Sequence, residues 1–76
     1  MNIKYRFMEA GKRQHQLAAE VDRRMKADGV DLVCGRCCVS LTLSKLASGK
    51  TMTPKEQRVS MYLLDMLEEL EHGKAW

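Results

Sequence analysis

The sequence predicts an all-α fold, a small bundle of four helices that forms a single domain over residues 1–76. Two amphipathic stripes with helical spacing, one near each end of the chain, carry this prediction. The composition agrees, because apolar residues make up 45% of the chain and aromatic residues only 5%. A chain of 76 residues buries only about 60% of its unfolded surface, so we expect it to self-associate, most simply as a homodimer.

The first predicted helix runs from Arg6 to Ala27. Asp28 and Gly29 are expected to end it, since glycine adopts the left-handed conformation after a helix without steric cost. Gly11 is only a mild weakness within it. The apolar side chains that define its buried face recur at three- and four-residue steps: Phe7, Ala10, Leu17, Val21 and Met25.

The last predicted helix begins at Thr53, whose hydroxyl can cap the amide of Glu56 while the Glu56 carboxylate returns the bond. Pro54 suits the first helical turn. His72 and Gly73 should end the helix. The apolar stripe that defines its core face comprises Val59, Tyr62, Leu63, Met66, Leu67 and Leu70.

The middle of the chain, from Val30 to Lys50, fits two interpretations. One is a pair of helices, Val30 to Arg36 and Val39 to Ser48. The other is a hairpin over Asp31 to Leu43 that turns at Gly35 and Arg36. We favour helices, because a lone hairpin between helices would need cover on one face. The second of the two would then bury Val39, Leu43, Leu46 and Ala47.

Charge and motifs restrict the function. Residues 1–50 hold ten basic and five acidic side chains, a net of +5, whereas residues 51–76 hold three and five, a net of −2. This asymmetry can steer an anionic partner to one face. The chain has no Gly-rich phosphate loop, nucleophile elbow or zinc-protease motif, so we expect a binding protein without a cofactor and not an enzyme.

The expected location is the cytoplasm, away from membranes, because no apolar run reaches the roughly 20 residues that span a bilayer and no signal-peptide stretch opens the chain. Cys34, Cys37 and Cys38 lie too close together for a disulfide framework. Cys34 and Cys37 have the spacing of a zinc knuckle, but the further pair of ligands is lacking. We therefore expect small reduced thiols packed between helices and no metal site.

The stretch from Leu43 to Lys50, followed by the Pro54 loop, resembles the end of a recognition helix in the phage repressor and Cro class of helix-turn-helix regulators. In that alignment Val33 takes the place of a small buried residue, Cys37 the turn glycine and Leu43 a buried aliphatic residue. The resemblance implies a helix-turn-helix at the centre of the bundle and a small phage or mobile-element regulator that binds DNA.

The resemblance also implies a DNA site. Ser40, Ser44 and Lys45 would point into the major groove, while Arg36, Thr42 and Lys50 would contact phosphates.

The alternative is a protein-binding inhibitor, such as an antirepressor or a host-defence antagonist that sequesters a regulatory protein. Leu41 favours this alternative, because it falls on the face of the helix where a DNA reader would carry a polar side chain. Met61 and Leu64 lie outside the core stripe of the last helix and suggest a subunit or partner contact. With Trp76 these residues complete the expected protein-binding set.

Overall fold

The computed structural model describes residues 2–76. They form four helices: α1 (Ile3–Glu9), α2 (Gln14–Ala27), α3 (Arg36–Ser48) and α4 (Pro54–Glu71). Residues 2–76 contain no β-strand, so the hairpin interpretation is wrong and the all-α prediction is confirmed. The number of helices agrees with the prediction, but their division does not: one predicted helix is split in two, one does not form, and α3 begins earlier than predicted.

The first predicted helix is in fact two helices, α1 and α2, because the chain turns at Gly11. Gly11 adopts a φ of +78°, the left-handed conformation that ends a helix and that glycine takes without strain. The side chain of Gln16 then accepts a hydrogen bond from the Arg13 amide at 2.8 Å, which begins α2. The turn lets Phe7 enter the core and leaves Ala10 exposed, contrary to the expected buried face.

The predicted helix from Val30 to Arg36 does not form. Residues 30–35 are an irregular segment between α2 and α3, and α3 itself begins three residues before the predicted Val39. Gly29, at a φ of +74°, reverses the chain, and the Val30 amide donates to the Met25 carbonyl at 2.8 Å. Individual side chains of this segment pack against the core, and Cys34 is buried there. The segment therefore contributes to the core without forming a helix.

The helix α3 is the centre of the bundle, because it packs against each of the other three helices. Val39 and Leu43 are buried, as predicted, whereas Leu46 is half-buried and Ala47 is exposed. Gly49, at a φ of +70°, ends the helix where the sequence indicates.

The helix α4 begins with the predicted capping box. The Thr53 hydroxyl accepts from the Glu56 amide at 3.2 Å, and a Glu56 carboxylate oxygen accepts from the Thr53 amide at 2.8 Å. Its core stripe is confirmed at four positions and only partly buried at Tyr62 and Leu70. The four buried positions are Val59, Leu63, Met66 and Leu67.

Charged groups join the outer ends of the bundle. Arg24 on α2 contacts Glu20 on its own helix and Glu69 on α4, both at 2.6 Å. Arg6 on α1 forms a two-pronged ion pair with Glu71 at the end of α4. Within the described part of the chain, no helix is both long and apolar enough to cross a bilayer.

Candidate partner-binding face

Three adjoining grooves form one surface along α1, the first turn of α2 and the outer side of α3, which we call the α1–α3 face. The grooves share walls: Lys4 and Leu43 line two of them, Gln14 lines two, and Ser40 lines two. The exposed or half-buried side chains that line it are Asn2, Lys4, Met8, Lys12, Arg13, Gln14, Arg36, Cys37, Ser40, Leu41, Ser44, Ala47 and Ser48.

The central groove of the α1–α3 face has an apolar floor. This floor is the edge of the hydrophobic core, where Phe7, Leu17 and Leu43 are each 1% exposed. Two larger apolar side chains rise from the face towards solvent, Met8 and Leu41, and each is 56% exposed. The face therefore offers apolar surface to a partner without a change in the fold.

The rim of the same face is cationic. Lys4, Lys12, Arg13 and Arg36 line it, and none of its three grooves is lined by a described aspartate or glutamate. Lys12 is held in place, because its ammonium group donates to the Trp76 carbonyl at 2.8 Å and lies 4.5 Å from the centre of the Trp76 ring. The other three cations form no ion pair with any described residue.

Three of the six predicted DNA contacts lie on the α1–α3 face. Arg36, Ser40 and Ser44 are exposed at i, i+4 and i+8 along the outer side of α3. Lys50 is exposed just after α3 but lines none of the three grooves.

Thr42 cannot contact a phosphate as predicted, since it is 0% exposed. Its hydroxyl donates to the Cys38 carbonyl one turn earlier, at 2.8 Å. The threonine therefore belongs to the packed side of α3, where the internal hydrogen bond satisfies its polar atom.

Lys45 does not point freely outward as the predicted base contact requires, because its ammonium group pairs with Glu56 and its side chain is only 24% exposed. The Lys45 Nζ lies 2.8 Å from the Glu56 carboxylate, which is itself buried and caps α4. The hydrogen bond from Lys45, followed by those from Thr53, lowers the pKa of Glu56 to about 2. Lys45 thus joins α3 to α4.

The predicted protein-binding residues divide between separate surfaces. Leu41 lies on the α1–α3 face, whereas Met61 lines a groove on α4 that shares no residue with that face. Leu64 is 45% exposed on the same helix as Met61. Trp76 is not a free anchor, because its ring is half-buried against the core and its indole N–H donates to the Met66 carbonyl at 3.1 Å.

The cysteines differ in exposure, so the expectation of packed thiols is confirmed only in part. Cys34 is buried, and its burial raises the pKa of the thiol to about 12. Cys38 is half-buried, whereas Cys37 is exposed in the first turn of α3 and not at a turn between helices. In residues 2–76, no group of three or more His, Cys, Asp or Glu side chains could hold a metal ion.

Sequence reasoning missed the part of the face supplied by α1 and α2. The sequence does not predict Lys4, Met8 and Arg13 as site residues, because a continuous helix from Arg6 to Ala27 would not place α1 against α3. One feature of the sequence indicates a helix start just beyond Gly11. Gln16 lies three residues after Arg13, the spacing at which a side chain can accept a capping hydrogen bond from the backbone amide.

Val33 also departs from the alignment that suggested a helix-turn-helix. It is 77% exposed, whereas the resemblance implies a small buried residue there. Comparisons with protein-family models, with curated proteins and with solved structures found no match.

Proposed function

We propose that this protein is a non-catalytic binding protein that holds an acidic, partly apolar segment of another protein on its α1–α3 face. The observation that carries the proposal is the pairing of an apolar floor with a rim of cations that lacks carboxylates. A partner with apolar side chains flanked by Asp or Glu matches both properties at once.

Leu41 is the side chain best placed to anchor such a partner. It is more than half exposed on a helix whose opposite side is fully packed, so a partner can cover it without disturbing the core. Interface energy is concentrated in a few apolar or aromatic anchors surrounded by polar groups that exclude water. Arg36, Gln14 and Ser40 line the groove around Leu41 and would supply that polar surround.

The unpaired cations would set the rate and specificity of encounter more than the final affinity. Lys4, Arg13 and Arg36 lie at the exposed rim, where charge attracts an oppositely charged partner and is screened by salt. A protein of this size with one such face would act by sequestering a regulatory protein, as an antirepressor or a host-defence antagonist does.

A second candidate function is DNA binding, and one observation favours it: Arg36, Ser40 and Ser44 share one exposed stripe of α3. Against it, Thr42 is buried and Lys45 is paired. The segment before α3 spans eight residues, from Asp28 to Gly35, where a helix-turn-helix has a turn of about three or four. We therefore place protein binding first.

Calorimetric titration with two probes tests the proposal. The first probe is a helical peptide with Leu at helical spacing and Glu elsewhere, and the second is a mixed-sequence DNA duplex. We expect the peptide to bind and Leu41→Ala to weaken it about tenfold or more, because an anchor truncation costs roughly 2 kcal/mol. The duplex should bind weakly at physiological salt.

Leu64→Ala is the matched control, since it removes the same atoms from a leucine on α4 and should leave peptide affinity unchanged. A peptide that binds wild type and Leu41→Ala equally would refute the proposal. Tight, steeply salt-dependent binding of the duplex, lost in Arg36→Ala, would establish the second candidate instead.

A further inference from the structure

The outward side of α4 carries a pattern of charge that complements itself. Arg58, Met61, Leu64, Asp65 and Glu68 are all exposed and occur at the three- and four-residue steps that place them on one side of a helix. This side is opposite the buried stripe that begins at Val59. We call these five residues the α4 outer strip. Met61 at its centre is 67% exposed.

Arg58 and Asp65 line the same groove on either side of Met61, yet neither forms an ion pair with any of residues 2–76. They are seven residues apart on α4, which separates their backbones by about 10 Å along the axis, so they do not meet each other. The groove also contains Asp28, but that carboxylate already accepts a hydrogen bond from the Tyr62 hydroxyl.

We propose that the α4 outer strip is a docking surface for a second copy of this chain, with the two α4 helices antiparallel and Met61 near the two-fold axis. A symmetric contact requires that residue i meets residue j while j meets i. If α4 is reversed about a point between Met61 and Tyr62, Arg58 of each copy faces Asp65 of the other. Two Arg–Asp pairs then flank a central methionine contact.

The alternatives on the same surface fit less well. A parallel alignment of two α4 helices would place Arg58 beside Arg58 and Asp65 beside Asp65, which repels. The α1–α3 face does not suit a second copy in this way, since its rim would set cations against cations.

This inference does not depend on the proposed function, because the α4 outer strip and the α1–α3 face have no residue in common. The antiparallel dimer leaves the α1–α3 face of each copy available, so partner binding and self-association are separable in experiments.

Charge reversal in mixed variants tests the dimer. Arg58→Asp gives a copy with two acidic groups around Met61, and Asp65→Arg gives a copy with two basic groups. We expect each variant alone to raise the dimer dissociation constant about tenfold or more, since two attractive pairs become repulsive. An equimolar mixture should restore association, because every contact between unlike copies is then attractive. Sedimentation equilibrium at several concentrations measures all three samples.

Lys50→Asp provides the matched control, because it makes the same change in charge at an exposed site outside the strip, and it should dimerise like wild type. Circular dichroism establishes that each variant is folded, and Met61→Glu gives an independent disruption of the centre. A wild-type protein that stays monomeric at tens of micromolar, or a mixture of folded variants that remains monomeric, would overturn the proposal.

Discussion

The α2–α4 side of the molecule and the α1–α3 face both carry arginines, but these arginines are paired on the first and unpaired on the second. Arg23 and Arg24 share Glu20, and Arg24 also reaches across to Glu69 of α4. Arg13 and Arg36 on the α1–α3 face have no carboxylate partner among the described residues. Arg24 joins α2 to α4 and Arg23 pairs within α2, whereas the cations of the α1–α3 face have no such pairing. Local pairing therefore separates cations that are used within the fold from those that are not, which composition alone does not.

The largest expected contrast lies between the two sides of α3. Leu43→Ala should lower the free energy of unfolding by about 2 to 5 kcal/mol, because Leu43 is buried against the core. Leu41→Ala should change it by less than about 0.5 kcal/mol, since that side chain is exposed. Urea denaturation of both variants measures the difference. Equal losses of stability would mean that Leu41 is structural and would remove the anchor from the proposed face.

A smaller contrast separates the paired and unpaired arginines. Arg24→Ala should destabilise the fold by about 1 to 2 kcal/mol, because it breaks charge-assisted hydrogen bonds to Glu20 and Glu69. Arg36→Ala should leave thermal stability almost unchanged and act only on partner binding. If thermal melts show Arg36→Ala to be as unstable as Arg24→Ala, the distinction between the two groups of cations is wrong.

The smallest expected effect is on the pH dependence of stability. Hydrogen bonds, first from Arg23, lower the pKa of Glu20 to about 2, and hydrogen bonds, first from Lys45, lower the pKa of Glu56 to about 2. Both folded-state pKa values lie below the ordinary glutamate value of 4.5, so these carboxylates stabilise the fold fully above that pH. Their contribution should be lost as the pH falls from 4.5 towards 2.

Urea midpoints measured across this range test the assignment of the charged groups. Lys45→Met should weaken the pH dependence, because Glu56 would lose the hydrogen bond that lowers its pKa most. Arg36→Met, the matched control, should retain the wild-type dependence. An unchanged profile in Lys45→Met would show that Lys45 is not held by Glu56 and would return it to the set of available cations.

Much of the fold could be predicted because it depends on local chemistry. The capping box at Thr53 and the end of the third helix at Ser48 depend on a few neighbouring residues, and both predictions are confirmed. The break at Gly11 could not be predicted with the same ease. A glycine within a helix lowers the stability of that helix by only about 1 kcal/mol relative to alanine. The sequence pattern alone therefore does not show whether Gly11 weakens the helix or ends it. In the folded chain the break goes with the burial of Phe7, which is 1% exposed.

The candidate site was only partly predictable, because the apolar residues of α3 do not define one face. Leu41, Leu43 and Leu46 are exposed, buried and half-buried in turn, and only packing against three other helices determines which is which. The same packing buries Thr42 and pairs Lys45 with Glu56, so two predicted DNA contacts were lost. Arg36, Ser40, Leu41 and Ser44 stayed exposed, as predicted.

We propose that the α1–α3 face holds an acidic and apolar segment. A nuclear magnetic resonance titration of the labelled protein with the Leu–Glu peptide tests this most directly. We expect the largest changes in amide chemical shift to map to α1, the first turn of α2 and the outer side of α3, at Met8, Gln14, Ser40 and Leu41. Changes confined to α4, or none at saturating peptide, would contradict it.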